Sequence, residues 1–233
     1  MALPYFFEKN IPAHNTTITL SEETSKHCIH VLRMKAGEKL QLTDGCGNSY
    51  TATIITEDKR HCQVVLSNAV FKVPTARKIT VAVSVIKNNN RLEWFIEKAT
   101  EIGISAIVPL ICSRTEKQHF RADRMQAILI SAMLQSRQNW LPVLEAPIVF
   151  DSFINGMPNG QRLIAHCEEQ KKQPINSVEL ENEVIIAIGP EGDFTTREID
   201  LALKNSFTAV SLGNTRLRTE TAALVAATLL IHL

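Results

Sequence analysis

Two short loops hold the residues whose types and spacing are best suited to chemistry. The first follows an apolar segment and consists of Ile188, Gly189, Pro190, Glu191 and Gly192. Glycines directly after a strand let a ligand approach the backbone, and a helix that starts nearby favours anionic groups. The segment lacks the spacing of a dinucleotide fingerprint or of a phosphate-binding loop. A ligand site and a plain strand-to-helix turn therefore stay open as explanations.

The second loop covers residues 212–221 and reads Leu-Gly-Asn-Thr-Arg-Leu-Arg-Thr-Glu-Thr. Thr219 is suited to cap a helix and Glu220 to lie near its positive end, which gives both residues a structural explanation. Arg216 and Arg218 flank the carboxyl end of a predicted strand, the edge at which open α/β sheets bind ligands. On the residues alone, ligand binding and helix capping explain this loop equally well.

The elements that position these loops divide the chain into two parts. The first seventy residues predict short strands and one helix capped by Ser21, a small β-barrel-like module. Residues 71–77, with Pro74, predict a linker. From Ile79 onward, apolar strands alternate with amphipathic helices, which is the pattern of an α/β domain. The sequence therefore predicts two domains, at residues 1–72 and 73–233.

Both candidate loops follow strands of the predicted α/β domain. Its strands are predicted at residues 79–86, 106–110, 163–165, 184–188 and 210–212. Its helices are predicted at residues 91–103, 124–139, 195–204 and from 219 nearly to the end, with a capping box formed by Thr195 and Glu198. In the first part, a helix at 22–32 precedes strands at 39–43, 50–54 and 63–66.

Composition places the chain among ordinary globular proteins. It has 233 residues, of which 45% are hydrophobic and 21% charged. No apolar run reaches the roughly 18–20 residues that span a bilayer, and the first nine residues lack the basic and apolar regions of an export signal. We therefore expect a cytoplasmic protein without a membrane segment.

Cysteine and histidine residues in the first part raise the question of a metal. Potential zinc ligands are His27, Cys28, His30, Cys46, His61 and Cys62. Their spacing fits no standard zinc finger, and none of the five cysteines forms a Cys-x-x-Cys pair. We interpret these residues as packing residues and reduced thiols, and expect no metal.

Charge is unevenly distributed along the chain. The formal net charge is +1 overall, and residues 1–75, 76–147 and 148–233 contribute +1, +4 and −4. A mildly basic middle segment is compatible with RNA but does not demonstrate RNA binding. Charge alone therefore leaves the partner undecided.

Further spaced motifs accompany the two loops. They are His27 with Val31-Leu32-Arg33, Asp44-Gly45-x-Gly47, Lys87 and Arg91 with Lys98, Thr100-Glu101 and Gly103, and Gln135-Ser136 with Asn139 and Pro142. Together with the loops, they resemble the SPOUT (trefoil-knot) methyltransferases, and within them the 16S rRNA uridine-N3 methyltransferase family. The resemblance spans nearly the whole chain.

The resemblance implies a fold and a cofactor. The fold is α/β, with an N-terminal PUA-like RNA-binding β-barrel domain and a C-terminal SPOUT domain that contains a deep trefoil knot and forms a homodimer. S-adenosyl-L-methionine lies bent among three loops. The cofactor-binding residues carried over are Ile188, Gly189, Pro190, Glu191, Gly192, Leu212, Gly213, Leu217, Arg218 and Thr219. The small residues Ala222, Ala223, Ala226 and Ala227 are expected to pack at the two-fold axis.

The implied activity is methyl transfer to N3 of one uridine of 16S rRNA, within the small ribosomal subunit. N3 of uridine is protonated at neutral pH, so transfer needs a base or a cation that stabilises the uridine anion. We assign the stabilising role to Arg218 and leave the base open among Glu191, Glu220 and water. The RNA-binding candidates are Arg33, Lys35, Lys87, Arg91, Arg114, Arg137 and Arg216.

The chain departs from the family pattern at three places. Asp193 stands where many members have a third glycine, and Thr215 stands where many have an arginine, with Arg216 one position later. Arg137-Gln138 replaces the common Gly-Arg pair. Alternative functions are a SPOUT methyltransferase acting on tRNA or on another rRNA position, and a non-catalytic RNA-binding ribosome assembly factor.

Overall fold

The chain divides into two compact units. The computed structural model describes residues 3–12, 16–116, 119–156, 160–169 and 171–233. One unit contains the residues up to Pro74 together with Met133–Leu141, and the other contains Thr75–Ala132 and Pro142–Leu233. The domain limits predicted from the sequence, 1–72 and 73–233, stay a prediction.

The first unit contains a five-stranded sheet and one short helix. Its elements are β1 (Tyr5–Phe7), β2 (Thr17–Thr19), α1 (Glu22–Lys26), β3 (Lys39–Thr43), β4 (Asn48–Ile54) and β5 (Gln63–Phe71). The strand order is β1-β3-β4-β5-β2, with β1 parallel to β3 and the other pairs antiparallel. Alternate strand residues, such as Leu40 and Leu42 on β3 and Val64 and Leu66 on β5, are fully buried in its core. This period of two follows from the pleat of a strand.

Local signals in this unit act as the sequence predicts. The Ser21 hydroxyl accepts a hydrogen bond from the Thr24 amide, and α1 continues into a π-helical turn over His27–Val31. Gly47 has φ 95° and lies against Trp140, where a Cβ atom would come within 2.5 Å of the indole. Only glycine fits there, so this position attaches the Met133–Leu141 segment to the turn after β3.

The second unit contains a parallel sheet with helices. Its elements are β6 (Lys78–Ser84), α2 (Asn89–Ile102), β7 (Ala106–Ile111), α3 (Ala122–Gln135, which runs into the first unit), β8 (Val143–Leu144), β9 (Ile148–Val149), α4 (Phe150–Asn155), β10 (Gln161–Ala165), β11 (Gln173–Pro174), β12 (Glu183–Ile188), α5 (Thr196–Lys204), β13 (Thr208–Ser211) and α6 (Thr219–His232). The strand order is β11-β13-β10-β12-β6-β7-β8, and β9 also pairs with β7.

This order brings three strand ends together. β12 lies between β6 and β10, and β13 lies on the far side of β10. All of these pairs are parallel, so β10, β12 and β13 end at the same edge of the sheet. The loops that follow them therefore meet, and both candidate loops are among them. Helix α6 packs against α2, β6 and β12.

Helix signals in the second unit match the predictions. The capping box is formed: the Thr195 side chain accepts from the Glu198 amide, and the Glu198 carboxylate accepts from the Thr195 amide at 2.8 Å. Helix α2 ends at Gly103, which adopts φ 89°. Ala223, Ala226 and Ala227 of α6 are fully buried within the single chain, so these three pack inside the subunit. Ala222 is half-buried, and its place at a two-fold axis stays a prediction.

Candidate functional site

A cavity of about 700 Å³ lies where the loops after β10, β12 and β13 meet. Nine of the ten residues predicted to bind the cofactor line it: Ile188, Gly189, Pro190, Glu191, Leu212, Gly213, Leu217, Arg218 and Thr219. Gly192 is outside the described lining, and its neighbour Asp193 lines the cavity in its place. The two loops chosen from the sequence therefore form two walls of one site.

The third wall was missed from the sequence. It consists of Ala165, His166, Cys167 and Lys172, which follow β10. The available signal was the predicted strand at 163–165, because the residue after each neighbouring parallel strand reaches the same edge. These residue types resemble no binding motif, so only the strand order reveals them.

The loop after β12 folds back closely on itself, so that Gly189 packs against Phe194. A Cβ atom on the buried Gly189 would lie 3.0 Å from the Phe194 amide nitrogen and 3.1 Å from the Phe194 ring. The Asp193 amide donates to the Pro190 carbonyl at 2.9 Å, which closes the turn with Asp193 at φ 63°. Asp, like Asn, tolerates this conformation better than other non-glycine residues, so Asp193 fits the turn.

His166 is a buried polar side chain of the cavity wall. It is 7% exposed, and neither ring nitrogen has a hydrogen-bond partner among the described residues. Burial, followed by the charge of Lys172, lowers the pKa of the imidazole, and Asp193 and Glu168 oppose this in part. His166 therefore presents a neutral ring with one donor and one acceptor.

Both signs of charge line the cavity. Lys172, Arg216 and Arg218 supply cations, while Glu191 and Asp193 supply carboxylates. The Glu191 carboxylate also accepts from the Lys87 amide at 3.2 Å. Arg216 and Arg218 are exposed, and no ion pair involving either is found in the described ranges. Both arginines are therefore available to a bound anion.

Glu220, a candidate base, lies in the first turn of α6 beside the cavity wall. Its side chain is buried, and among the described residues it contacts Arg91, whose Nε lies 3.6 Å from Oε1. Its other oxygen, Oε2, has no partner in the described part of the chain. Glu220 is absent from the described cavity lining. The structure thus pairs a predicted RNA-binding arginine with a predicted catalytic carboxylate.

Two other predicted RNA-binding residues, Arg114 and Lys87, contact protein groups of the second unit. Arg114 donates from Nη1 to the carbonyls of Gly192 and Phe194, at 2.7 and 3.4 Å, so it braces the loop after β12. Lys87 forms an exposed ion pair with Glu116. The assignment of both residues to RNA stays a prediction.

Three predicted RNA-binding residues belong to the first unit. Arg33 is exposed and adopts φ 57°. Lys35 pairs with Glu57 at 3.1 Å, and Arg137 donates to the Leu3 carbonyl at 3.3 Å. All three side chains reach solvent, which RNA contact requires.

The described residues offer neither a metal site nor a membrane-spanning helix. They contain no group of three or more His, Cys, Asp or Glu side chains placed to hold a metal ion. Cys28 and Cys62 are buried in the core of the first unit, whereas Cys46 is exposed. None of the described helices is both long and apolar enough to cross a membrane.

Family models match both parts of the chain. Residues 73–231 match an RNA methyltransferase domain and residues 20–67 match an RNA methyltransferase PUA domain. Fold and site thus define an RNA methyltransferase with an N-terminal PUA domain. This confirms the predicted family and fold class; the knot stays a prediction.

Similarity to known proteins identifies the family within this class of RNA methyltransferases. The ribosomal RNA small subunit methyltransferase E of Rickettsia conorii is 31% identical over 92% of this chain and 89% of its own length. A probable rRNA methyltransferase from Porphyromonas gingivalis superposes with TM-score 0.89 at 37% identity, covering 97% and 95% of the two chains. A ribosomal RNA small subunit methyltransferase E from Neisseria gonorrhoeae, bound to S-adenosyl methionine, gives TM-score 0.86 at 28% identity over 97% and 95%. The chain belongs to the ribosomal RNA small subunit methyltransferase E family.

Proposed function

We propose that this protein transfers a methyl group from S-adenosyl-L-methionine to N3 of a specific uridine in small-subunit ribosomal RNA. The observation that carries the proposal is the cavity that the loop after β12 and the loop after β13 line together, on either side of the end of β10. Relatives named for small-subunit rRNA methylation, one of them bound to the methyl donor, support it.

The cavity residues fit this methyl donor. The donor carries a sulfonium, an ammonium and a carboxylate beside an aromatic adenine with apolar faces. The lining combines two carboxylates and three cations with Ile188, Val210, Leu212 and Leu217. The buried His166 nitrogens need partners, because an unpaired buried polar group costs roughly 1–3 kcal/mol. The donor supplies an activated methyl group, and the loops hold it for in-line attack.

Arg218 is assigned to the acceptor uridine. Its side chain is exposed, and the residue lines the cavity. Arg218 also directly precedes α6, whose N-terminal end carries partial positive charge. A fixed cation next to the uracil ring stabilises the anion that forms when N3 loses its proton. The adjacent Thr219 and Leu217 line the same wall and orient the loop.

A base must take the N3 proton. Glu191 is exposed at the cavity, whereas Glu220 is buried beside Arg91. Position therefore favours Glu191 or a water that it holds, and gives Glu220 a structural role. Replacement by glutamine separates these roles: Glu191→Gln should lower kcat without weakening donor binding, and an unchanged kcat would remove Glu191 from the list.

The remaining proposals concern the RNA, the oligomeric state, the cellular location and the knot. N3 lies on the pairing edge of uracil, so the uridine must be unpaired or turned out of its stack. We propose that the PUA-like unit, with Arg33, Lys35 and Arg137, contacts phosphates of the small subunit, and that the protein works as a cytoplasmic homodimer. We also propose that α6 closes the trefoil knot. This helix follows β13 and packs on β6 and β12.

The test is methyl transfer to defined RNA. Small ribosomal subunits from a strain lacking the gene are incubated with methyl-labelled donor and enzyme, and the labelled nucleoside is identified by mass spectrometry. Label in N3-methyluridine with wild type, and its loss by a factor of ~100 or more with Arg218→Ala, is expected. Retained transfer by Arg218→Ala with unchanged donor affinity would remove the arginine from the mechanism.

A further inference from the structure

An aromatic pair at the surface of the first unit lies outside the methyl-transfer site. Phe71, the last residue of β5, is 57% exposed, and its ring packs edge to face on the Trp140 indole, with ring centroids 6.0 Å apart and 80° between the planes. Val70 and Val73 flank Phe71 and are 59% and 74% exposed. We propose that these four residues, the aromatic platform, stack on an unpaired base of the RNA. The inference rests on the proposed RNA substrate, but not on which atom of the RNA is methylated.

The turn after β3 holds both rings of the platform in place. Trp140 forms a backbone bridge with Cys46, and its Nε1 donates to the Lys72 carbonyl at 2.8 Å. Gly47 packs against both rings, since a Cβ atom there would lie 2.8 Å from Phe71 and 2.5 Å from Trp140. The polar atom of the indole is therefore already paired, and the rings are positioned before a ligand binds. Such preorganisation lowers the entropic cost of binding.

The charges beside the platform suit a polyanion. Lys72 directly follows Phe71 and is exposed, and its ammonium has no ion-pair partner among the described residues. Asp44 is the acidic residue of the neighbouring turn, and its two oxygens accept from the Cys46 amide at 2.7 Å and from the Asn48 side chain at 2.6 Å. The carboxylate is thus occupied within its own turn, while the lysine is available to a phosphate. Aromatic rings beside cations are the combination with which proteins hold single-stranded RNA.

The size of the platform favours a base over a protein partner. Its exposed apolar side chains belong to Val70, Phe71 and Val73. A stable interface between proteins needs about 800 Å² and roughly 20–30 residues on each side, whereas one base needs a single accessible ring. The RNA must be unpaired at this point, because the bases of a duplex are already stacked on both faces.

The experiment measures RNA binding through the fluorescence of Trp140. Trp94, the other tryptophan of the chain, lies on α2 in the second unit, so the Trp94→Phe protein has Trp140 as its single reporter. In this parent, Phe71→Leu removes the aromatic ring and Phe71→Tyr keeps it. Val65→Ala is the matched control, because Val65 is 39% exposed near the other end of β5. Each protein is titrated with a short single-stranded RNA and with the same RNA as a duplex.

We expect single-stranded RNA to quench the Trp140 fluorescence and duplex RNA to leave it unchanged. Phe71→Leu should raise the dissociation constant of the single strand about tenfold, whereas Phe71→Tyr and the control should stay within about twofold of the parent. Equal dissociation constants for Phe71→Leu and its parent, or equal quenching by duplex RNA, would overturn the inference.

A second variant keeps the test decisive if leucine disturbs the packing on Trp140. Lys72→Gln leaves the carbonyl that pairs with the indole in place, and it should reduce the slope of log affinity against log salt concentration by about one. An unchanged slope would contradict the phosphate contact that the inference requires. Trp140 fluorescence that changes with protein concentration in the absence of RNA would instead make the platform an interface between copies.

The failure of the inference can be told apart from that of the proposed function. If Phe71→Leu binds single-stranded RNA and methylates small ribosomal subunits as the parent does, only the aromatic platform is refuted. A wild-type protein that neither binds RNA nor methylates the subunits would overturn the proposed function as well.

Discussion

The Asp193 carboxylate accepts a hydrogen bond from the Cys167 amide at 2.7 Å, so one side chain joins the loop after β12 to the loop after β10. Its other oxygen accepts from the Phe194 amide at 2.8 Å. Both loops line the same cavity. The aspartate therefore links two walls of the cavity beyond the ends of the strands, where backbone pairing no longer joins them.

Replacing Asp193 should weaken donor binding in a graded way. Asp193→Gly removes the link to Cys167 and is expected to lower the affinity for S-adenosylmethionine about tenfold, since hydrogen bonds to charged groups contribute roughly 1.5–3 kcal/mol. Asp193→Asn keeps an acceptor oxygen and tolerates positive φ, so its loss should be smaller. Ser206→Gly, at φ 65° after α5, is the matched control. Equal affinities for the Asp193→Gly and wild-type proteins, measured by calorimetry, would show that the link does not shape the site.

The contact between Arg91 and Glu220 predicts a stability effect. Arg91→Gln removes the described partner of a carboxylate that is buried, so we expect the free energy of unfolding to drop by about 1–3 kcal/mol, discounted because Arg91 is partly exposed. Adding Glu220→Gln should recover part of the loss, because the charge is then gone. Urea denaturation of the four proteins gives the coupling. No change in stability with a loss of RNA affinity would instead support the RNA-binding assignment of Arg91.

The buried Glu198 predicts a pH-dependent contribution to stability. Burial opposes ionisation of this carboxyl, but hydrogen bonds from Thr195 and Ser113 outweigh it and lower the pKa below the ordinary value of 4.5. Since the pKa is lower in the folded state, the stabilisation is fully present above about pH 4.5 and is lost as the pH falls through the folded value.

Glu198→Gln is the corresponding variant. We expect it to be less stable than wild type by about 1–3 kcal/mol at pH 7, with the difference shrinking below pH 4.5. Urea unfolding at several pH values measures this. A difference that grows on acidification would contradict the role assigned to the ionised carboxylate, which ties the helix cap of α5 to the Ser113 amide.

Cysteine accessibility offers a probe of the cavity. Cys46 and Cys167 are exposed, although partial burial raises the pKa of Cys167. Burial raises the pKa of Cys28 and of Cys112 to about 12. A maleimide reagent at pH 8 should therefore label Cys46 and Cys167 in the native protein. Saturating S-adenosylmethionine should slow labelling of Cys167 and leave Cys46, in the first unit, unchanged. Equal labelling of Cys167 with and without ligand would place the donor away from the wall after β10.

Local signals were sufficient to predict most of the second unit. The capping box at Thr195, the stop at Gly103 and the apolar strands each depend on neighbouring residues in the chain, and the structure has them where the pattern places them. Elements of two or three residues, such as β2 and β8, were missed because their pairing depends on distant strands rather than on a periodic pattern. Helix α4 was missed for another reason, because its six residues are too few to display a helical period.

The candidate site, too, was only partly predicted from the sequence. Two of its walls carry distinctive residues, so motif resemblance found them, and they line the cavity. The wall of His166 and Cys167 has no motif and becomes visible only once β10 is placed between β12 and β13. The pairing of Arg91 with Glu220 joins residues on α2 and α6, whose contact no spacing along the chain predicts.

The central claim, that this chain methylates N3 of one uridine in small-subunit rRNA, is tested most directly in cells. Small-subunit rRNA is isolated from a strain lacking the gene, with and without complementation, and its modified nucleosides are mapped by mass spectrometry. We predict the loss of one N3-methyluridine that returns with the wild-type gene and not with Arg218→Ala. Small-subunit rRNA with unchanged modifications in the deletion strain would contradict the claim.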